Sequence, residues 1–358
     1  MKYSKKNIAV FVKNLTSGGA EKQAVLLAKT LRYDYNVSFV IFHADKIHQK
    51  YLDMLAASPE VNVVKFYGSK ITRFCQFVDF VKRNKIEAIF SYLTVASLLG
   101  SFVCKLCHVR GNFPGIRGAF LPKNKARIAK FFTNFMATQT VINSVSGKEY
   151  FVKYGCKKEK LEVILNCFEN ISPYKEKHHE GVVRYITVGR FMPQKDYLTA
   201  IKTMDYIRNQ GVDFKYTIVG YGQEEDNIRK WIKDYKLSDK VEIKINPDNI
   251  SDLLDEADAY LCTSLYEGTS NAIMEAMNAN LPIVATDAGD NYLLVKNKEN
   301  GYIVDIGNYK KLGDALILLN DEKLRLQMGK MSKQILLDNY SAETFKTSYL
   351  NLLKRYGI

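Results

Sequence analysis

Residues 259–275 decide the fold: they read Ala259-Tyr-Leu-Cys-Thr-Ser-Leu-Tyr-Glu-Gly-Thr-Ser-Asn-Ala-Ile-Met-Glu275. The first six, Ala259–Ser264, are an apolar run of the length of a buried strand. From Ser270 onward the apolar residues take helical spacing, with a buried stripe of Ala272, Ile273, Ala276 and Met277. A strand that leads through a short loop into a helix is typical of a βα unit, and such units build parallel sheets.

The same alternation extends over the second half of the chain. The predicted strands are Arg184–Gly189, Phe214–Gly220, Val241–Ile245, Ala259–Ser264, Leu281–Thr286 and Gly301–Val304. The predicted helices between them are Asp196–Asn209, Glu224–Tyr235, Asn249–Glu256, Ser270–Ala279 and Asn308–Leu319. We therefore expect a doubly wound α/β domain over residues 182–340.

The first half shows the same pattern less clearly. Its predicted strands are Asn7–Val12, Val37–Phe42, Val61–Lys65, Ala88–Tyr92 and Gln139–Ile142, and its predicted helices are Gly18–Leu31 and Tyr92–Cys104. Residues 170–181 are polar, charged and aperiodic with one proline, which predicts a linker. We expect two doubly wound domains, 1–169 and 182–340, that face each other across a cleft.

Ligands of open parallel sheets bind beyond the carboxyl ends of the strands, so the turns that follow strands are searched for chemistry. After Gly189 come Arg190 and Lys195, whose planar fork and mobile point charge together suit a diphosphate. The alternative is that Lys195 only begins a surface helix. The turn Val219-Gly-Tyr-Gly222 contains Gly220 and Gly222 but no third glycine, which argues against a nicotinamide enzyme.

The loop and helix from Glu267 to Glu275 carry two carboxylates that can both point beyond the strand ends. Backbone N–H groups near Thr269–Asn271, at the start of the helix, are suited to meet an anion. The alternative is that Glu275 is an exposed helix residue and Glu267 a solvated loop residue.

These turns, in this order, resemble those of the family 4 retaining glycosyltransferases, which have the GT-B fold of two facing Rossmann-like domains. The resemblance rests on Glu267-x7-Glu275 above all. It includes the turns at Gly189, Gly220 and Leu281–Gly289, the segment Asn300–Val304, and Ser17-Gly-Gly-Ala-Glu21. It is specific in the second half and weaker in the first.

The resemblance implies a role for each of these residues. Gly189, Arg190 and Lys195 would hold the diphosphate of the donor, and Gly220 and Gly222 would shape a turn beside it. Glu275 would accept hydrogen bonds from the ribose, and Glu267 would contact the transferred sugar. The remaining donor-binding positions are Gly18, Gly19, Gly268, Thr269, Ser270 and Asn271. Segment 341–358 would be the closing helix that returns to the first domain.

Many family members carry a first-domain histidine near the reacting sugar. The corresponding stretch of this chain is assigned to Val109-Arg-Gly-Asn112, which makes Arg110 the catalytic candidate of the first domain. With Glu267, Arg190 and Lys195 it completes the predicted catalytic set. The implied reaction transfers a hexose or N-acetylhexosamine from a nucleotide diphosphate sugar, with UDP as the expected carrier, and keeps the anomeric configuration.

Charge indicates the acceptor side. Residues 1–178 hold 29 lysines and arginines against 12 aspartates and glutamates, whereas the rest of the chain holds 23 against 26. A basic first half favours an anionic partner, and a lipid-linked glycan at an anionic membrane fits surface-polysaccharide assembly. Segment Pro122–Phe135 has four cations and three phenylalanines, typical either of a membrane-surface helix or of a helix with a core-facing aromatic stripe. A non-catalytic sugar-nucleotide-binding partner and a basic nucleic-acid-binding protein are the alternatives, although no nucleic-acid motif is present.

No resident cofactor or metal is expected. The six cysteines lie in apolar surroundings of a long chain, which favours reduced buried thiols. Cys104-Lys-Leu-Cys107-His108 fits the haem-attachment spacing, but no second pair for zinc and no export signal accompany it. The short apolar run Ile8–Val12 is better explained as a first strand than as a signal peptide, so the expected location is cytoplasmic, with peripheral contact at the membrane.

Overall fold

In the computed structural model of the chain, residues 5–16, 18–178 and 181–358 are described. The chain divides into two compact units, Met1–Glu169 together with Ala342–Ile358, and Asn170–Ser341. Ser17 of the predicted glycine turn and residues 179–180 of the predicted linker lie outside the described residues.

Strands and helices alternate along both units. The strands are β1 Asn7–Val12, β2 Asn36–Ile41, β3 Asn62–Lys65, β4 Ala88–Tyr92, β5 Gly111–Ile116, β6 Thr140–Ile142, β7 Leu161–Val163, β8 Val183–Val188, β9 Phe214–Gly220, β10 Val241–Ile245, β11 Ala259–Cys262, β12 Ile283–Thr286 and β13 Gly301–Val304. The helices are α1 Gly19–Leu31, α2 Gln49–Ala56, α3 Lys70–Arg83, α4 Thr94–Leu106, α5 Lys123–Phe135, α6 Val145–Lys153, α7 Tyr197–Asn209, α8 Glu225–Asp234, α9 Ile250–Glu256, α10 Asn271–Asn278, α11 Asn291–Leu294, α12 Tyr309–Leu318, α13 Glu322–Tyr340 and α14 Ala342–Arg355.

The second unit is built on a six-stranded parallel sheet in the order β10-β9-β8-β11-β12-β13. This is the order of a dinucleotide-fold sheet, in which the direction of winding reverses between the first and fourth strands. Each predicted strand and helix of this half is confirmed to within about two residues, because buried strands here are continuous apolar runs flanked by polar turns. The 19-residue helix α13 was not predicted.

The first unit contains a seven-stranded parallel sheet in the order β3-β2-β1-β4-β5-β6-β7. The predicted strands of this half are confirmed, but β5 and β7 and the helices α2, α3 and α6 were missed. Strand β5 reads Gly-Asn-Phe-Pro-Gly-Ile, and glycine and proline are the residues that argue against a central strand. All six of its residues are nevertheless buried, since it is paired with β4 and β6 on its two sides.

Helices cover both faces of the first sheet. On one face α1, α2 and α14 close a core that includes Ile8, Val10 and Phe39 of the sheet and Tyr349 and Leu352 of α14. On the other face α3, α4 and α5 contact the sheet through two further clusters, around Phe77 and around Phe132. Within the described ranges, no helix combines the length and the apolar character needed to cross a bilayer.

The predicted fold class, α/β with two Rossmann-like parallel-sheet domains, is therefore confirmed.

Candidate functional site

The carboxyl ends of β8 and β11 lie side by side in the middle of the second sheet. The winding of the sheet reverses at this pair, and a ligand crevice is expected beyond such a reversal. The turn after β8 carries Arg190 and Lys195, and the turn after β11 carries Glu267. The two most distinctive turns of the sequence are thus neighbours in space.

Lys195 and Glu267 form an ion pair between Nζ and Oε1. Their side chains are only 18% and 10% exposed, so water screens the pair poorly. Burial by itself lowers the pKa of Lys195, but the Glu267 carboxylate raises it, and the net shift is upward. Ser264 Oγ also donates to Glu267 Oε1 at 2.8 Å. Lys195 therefore stays cationic, and the pair is a preformed charged centre at the crevice.

The backbone around Lys195 is tied to the turn after β11. Thr263 Oγ1 donates to the carbonyl oxygen of Lys195 at 2.8 Å, and Leu265 N donates to the carbonyl of Gln194 at 2.8 Å. The next residue, Asp196, has a left-handed φ of 47° and caps α7 by accepting from Thr199 N at 3.3 Å; it also accepts from Thr199 Oγ1 at 2.6 Å. These bonds fix the direction in which the Lys195 side chain leaves the backbone.

Gly289 fixes the other side of Glu267. Its φ is +61°, and a Cβ placed there would lie 1.9 Å from the carbonyl oxygen of Glu267. Only glycine allows the turn after β12 to approach this closely. Gly289 is thus a supporting residue of the site; the sequence shows it inside a family-like segment but gives no sign of its partner.

Helix α10 starts beside this pair, and Ser270 caps it by accepting from Ile273 N at 3.4 Å. Glu275 is partly exposed on the helix, as are Asn271 and Asn278, which confirms the predicted polar stripe. The predicted apolar stripe is wrong at one position: Ala272 is half-buried and Met274 is fully buried instead. Thr269 and Ser270 are buried where the helix begins.

The turns at Gly189, Gly220 and Gly222 pack on one another. A Cβ on Gly220 would lie 1.9 Å from Gly189 O, and one on Gly222 would lie 2.4 Å from Phe191 O. At both glycines the close contact comes from the backbone of the neighbouring turn after β8. Arg190 lies exposed at the same edge, and its positive charge acts against the upward shift that Glu267 causes in the pKa of Lys195.

A buried lysine holds the far end of α10. Lys333, 3% exposed, donates from Nζ to Asn278 O, to Asn278 Oδ1 at 3.0 Å and to Ser172 Oγ at 3.0 Å. A cation at a helix carboxyl end is favourable because of the helix dipole. Burial lowers its pKa to about 8. Segment 170–178, predicted as linker, is therefore attached to the second unit at Ser172.

In the first unit, Gly18 and Gly19 lie at the carboxyl end of β1, where α1 begins. A Cβ on Gly18 would lie 2.3 Å from Glu21 Oε2, and Thr16 Oγ1 donates to Glu21 Oε1 at 2.9 Å. The glycines are placed at the edge where ligands bind, with a buried carboxylate beside them. Their contact with a donor phosphate stays a prediction.

Arg110 does not lie at this edge, and its assignment near the reacting sugar is a misplacement. It precedes β5, so it is at the amino end of the strand, and its guanidinium would be 2.5 Å from a Cβ on Gly357 near the chain's end. The error follows from the missed strand: with no strand recognised over residues 111–116, the cation before it could not be told from the cation after it.

The cation that follows β5 is Arg117. Its Nη2 donates to Tyr349 Oη at 3.0 Å, and the guanidinium lies 4.1 Å from the ring centroid of Tyr92. Nε and Nη1 are buried and have no hydrogen-bond partner among the described residues. A buried guanidinium with two unused donors is costly unless an anion completes it. Arg117 is the functional candidate that the sequence missed, and Ile116-Arg117-Gly118 is the signal that a correctly placed strand would have revealed.

Comparison with known proteins gives a match to one family sequence model and matches to several curated proteins. Residues 170–335 match the sequence model described as "Glycosyl transferases group 1". The chain is 22% identical, over 97% of its length, to an uncharacterized glycosyltransferase of Haemophilus influenzae, and the match covers all of that protein. Over 46% of the chain, it is 31% identical to the putative colanic acid biosynthesis glycosyltransferase WcaL of Escherichia coli K12, of which 43% is covered.

Apart from the Haemophilus protein, the chain matches less than half of the length of these curated relatives. Among solved structures, HepE of Anabaena in complex with UDP has a TM-score of 0.83 and 18% identity, covering 98% of this chain and 100% of HepE. The lipopolysaccharide outer core galactosyltransferase WaaB has a TM-score of 0.77 and 15% identity, over 98% and 99% of the two chains. The fold is therefore of the GT-B class.

Proposed function

We propose that this protein is a retaining glycosyltransferase that moves a hexose or N-acetylhexosamine from a UDP-sugar to a glycan or lipid-linked glycan during surface-polysaccharide assembly. The observation that carries the proposal is the Lys195–Glu267 pair at the winding reversal of the second sheet, next to the start of α10. Matching of residues 170–335 to group 1 glycosyl transferases supports the reaction class.

Positive charge at this edge would lower the main barrier of the reaction, which is the departure of a nucleotide diphosphate from the sugar. Lys195, Arg190 and the N–H groups at the start of α10 would stabilise the negative charge that develops on the leaving phosphate. The backbone of the Lys195 turn accepts hydrogen bonds from Thr263 Oγ1 and Leu265 N of the adjacent turn, so little reorganisation would accompany the reaction.

Glu267 would have a double role: it keeps Lys195 charged, and its second oxygen would contact the hydroxyl groups of the transferred sugar. Glu275, one helix turn deeper along the exposed stripe of α10, would accept hydrogen bonds from the ribose. The phosphate that leaves would assist deprotonation of the acceptor on the same face of the sugar, which keeps the anomeric configuration.

UDP is proposed as the carrier because structures of similar fold, such as HepE, were determined with UDP and with UDP-glucose. An acceptor in surface-polysaccharide assembly is proposed because relatives include WcaL and a lipopolysaccharide core glycosyltransferase, LpsE, of Rhizobium meliloti. In the first unit Arg117, not Arg110, is assigned to this reaction. No metal is assigned, so turnover is expected to persist in a chelating agent.

The test is turnover of a panel of UDP-sugars by the Lys195→Ala variant, read as UDP release. Loss of one preorganised donor typically reduces turnover by about 10²-fold or more. Lys215→Ala is the matched control, since Lys215 is an exposed lysine of the same unit on β9. Near-normal turnover by Lys195→Ala would remove the proposed role of the pair. Absence of UDP release from every UDP-sugar in the wild-type protein would reject the UDP assignment.

A further inference from the structure

The outward surface of α3, α4 and α5 in the first unit is strongly basic. These three helices together hold nine lysines and arginines and a single acid, Asp79, which forms an ion pair with Arg83 at 2.7 Å. The cations are Lys70, Arg73, Lys82, Arg83, Lys105, Lys123, Lys125, Arg127 and Lys130. Hence one face of this unit carries a nearly unopposed positive charge.

Large apolar side chains project from the same helices. Phe135 is 73% exposed and Ile71 is 77% exposed, although solvent-facing helix positions normally carry polar residues. The further exposed apolar side chains of these helices are Val95, Phe102, Leu106 and Phe131. These side chains lie on three helices that pack in sequence, α3 on α4 and α4 on α5, and exposed apolar groups gathered on one part of a molecule indicate an interaction surface.

Helix α5 shows how the two features combine. Phe132 is fully buried in the cluster with Ala126 and Ala129, whereas Phe131 and Phe135 point outward and contact each other with ring centroids 5.8 Å apart. Segment 122–135 therefore places one phenylalanine in the core and two outside it, and a membrane contact of the outer two stays a prediction. Lys125 and Arg127 of the same helix are also exposed.

A groove between α3 and α4 continues the surface. It is lined by Phe74, Phe102 and Leu106, with Lys105 and His108 also in its lining. An apolar floor with cations at its margin matches the two chemical parts of a phospholipid, an acyl chain and an anionic headgroup.

The opposite face of the same sheet lacks this combination. Helices α1, α2 and α14 hold six lysines and arginines and three acids. None of the large apolar residues found exposed among the described residues lies on these three helices. Both faces belong to the same basic unit. The basic composition of the unit therefore does not by itself explain why only the surface of α3, α4 and α5 combines cations with exposed apolar side chains.

We propose that the surface of α3, α4 and α5 docks on an anionic phospholipid bilayer. Interleaved phenylalanines and cations suit the interface of a bilayer, where the rings enter the headgroup region and the cations meet lipid phosphates. A nucleic acid would use the cations but would leave Phe135 and Ile71 in water. The inference rests on the proposed function only for its purpose, which is to bring the enzyme to a lipid-linked acceptor.

The test is co-sedimentation of the full-length protein with vesicles of equimolar phosphatidylcholine and phosphatidylglycerol, and with pure phosphatidylcholine vesicles. Binding is expected only to the anionic vesicles and is expected to be lost in high salt. Phe131→Ser/Phe135→Ser and Lys125→Gln/Arg127→Gln should each lower the partition coefficient by about tenfold or more, since each surface cation alone contributes about a fivefold attraction.

Matched controls remove the same groups elsewhere. Lys50→Gln/Lys354→Gln takes two exposed cations from the opposite face, and Leu318→Ser/Leu337→Ser takes two exposed apolar side chains from the second unit. Both controls should sediment like the wild type. An equal loss in the controls, no vesicle binding by the wild type, binding only to duplex DNA, or a dimer that dissociates in Phe131→Ser/Phe135→Ser would each overturn the proposal. UDP release, measured without vesicles, tests the proposed function separately.

Discussion

A cation lies at the carboxyl edge of each parallel sheet, and the two cations differ in their partners. At the carboxyl edge of the second sheet, Lys195 is paired with Glu267, and Ser264 satisfies the same carboxylate. At the carboxyl edge of the first sheet, Arg117 contacts the ring of Tyr92 and the hydroxyl of Tyr349, and two of its nitrogens have no partner among the described residues.

The difference indicates which of the two cations needs a ligand to complete its contacts. Lys195 is compensated within the protein, so its site can be stable and preorganised when empty. The guanidinium of Arg117 is buried without an acid, so an anion that reaches it would relieve a cost already present in the fold. Substitutions should therefore separate the two cations: breaking the pair should cost stability, whereas removing Arg117 should cost only function.

Glu267→Ala should have the largest effect. It leaves Lys195 buried without its counter-charge, which is expected to lower the free energy of unfolding by about 3 kcal/mol or more and to reduce UDP release by about 10²-fold. Urea denaturation and turnover measure the two losses. Asp213→Ala is the control, since it breaks the pair with Lys240 through a carboxylate that is 64% exposed; it should cost far less, because water screens an exposed pair. Equal losses in both variants would contradict the comparison.

Lys333→Met tests whether the lysine at the carboxyl end of α10 is desolvated, through the pH dependence of the free energy of unfolding. The pKa of Lys333 is lowered by burial from 10.5 to about 8, so the unfolded chain binds its proton more tightly than the folded one. The wild-type free energy of unfolding should therefore rise, relative to Lys333→Met, between pH 8 and pH 10.5 and stay level below pH 8, with a total change of about 3 kcal/mol.

Urea denaturation of both proteins at several pH values gives this difference directly. Lys330→Met, which removes an exposed lysine from the same helix, should show no such slope. A constant difference between wild type and Lys333→Met across this range would mean that Lys333 has an ordinary pKa and is not desolvated.

Arg117→Met tests the second cation of the comparison, which has no acidic partner. Turnover should fall by about tenfold or more because a buried cation at the ligand edge is lost, while the free energy of unfolding should change by less than about 1 kcal/mol. Arg117→Lys should restore part of the turnover, because it returns the charge without the planar fork. A large loss of stability together with unchanged turnover would make Arg117 a structural residue.

Arg110→Ala should have the smallest effect. Arg110 is exposed at the amino end of β5, so UDP release should stay within about twofold of the wild type, as is usual for surface substitutions away from a site. A loss comparable with that of Arg117→Met would mean that Arg110 takes part in the reaction despite its place at the amino end of β5.

The contrast between the units also explains what the sequence could predict. In the second unit the strands are uninterrupted apolar runs, and the residues of the site lie in the turns directly after them, so Lys195 and Glu267 were found. In the first unit Gly111, Pro114 and Gly115 conceal a central strand, and Arg117 could not be placed after it. Contacts such as Gly289 on Glu267 and Lys333 on Asn278 join residues distant in sequence, and no local pattern encodes them.

The central claim, that Lys195 holds the diphosphate of a nucleotide sugar, is tested most directly by the dissociation constant of UDP. Isothermal titration calorimetry of the wild type, Lys195→Ala and Lys215→Ala gives this constant without a need for the acceptor. Binding by the wild type and by Lys215→Ala should be equal, and binding by Lys195→Ala should be weaker by about tenfold or more, as for the loss of a charge-assisted hydrogen bond. Equal affinity in all three proteins would contradict the account.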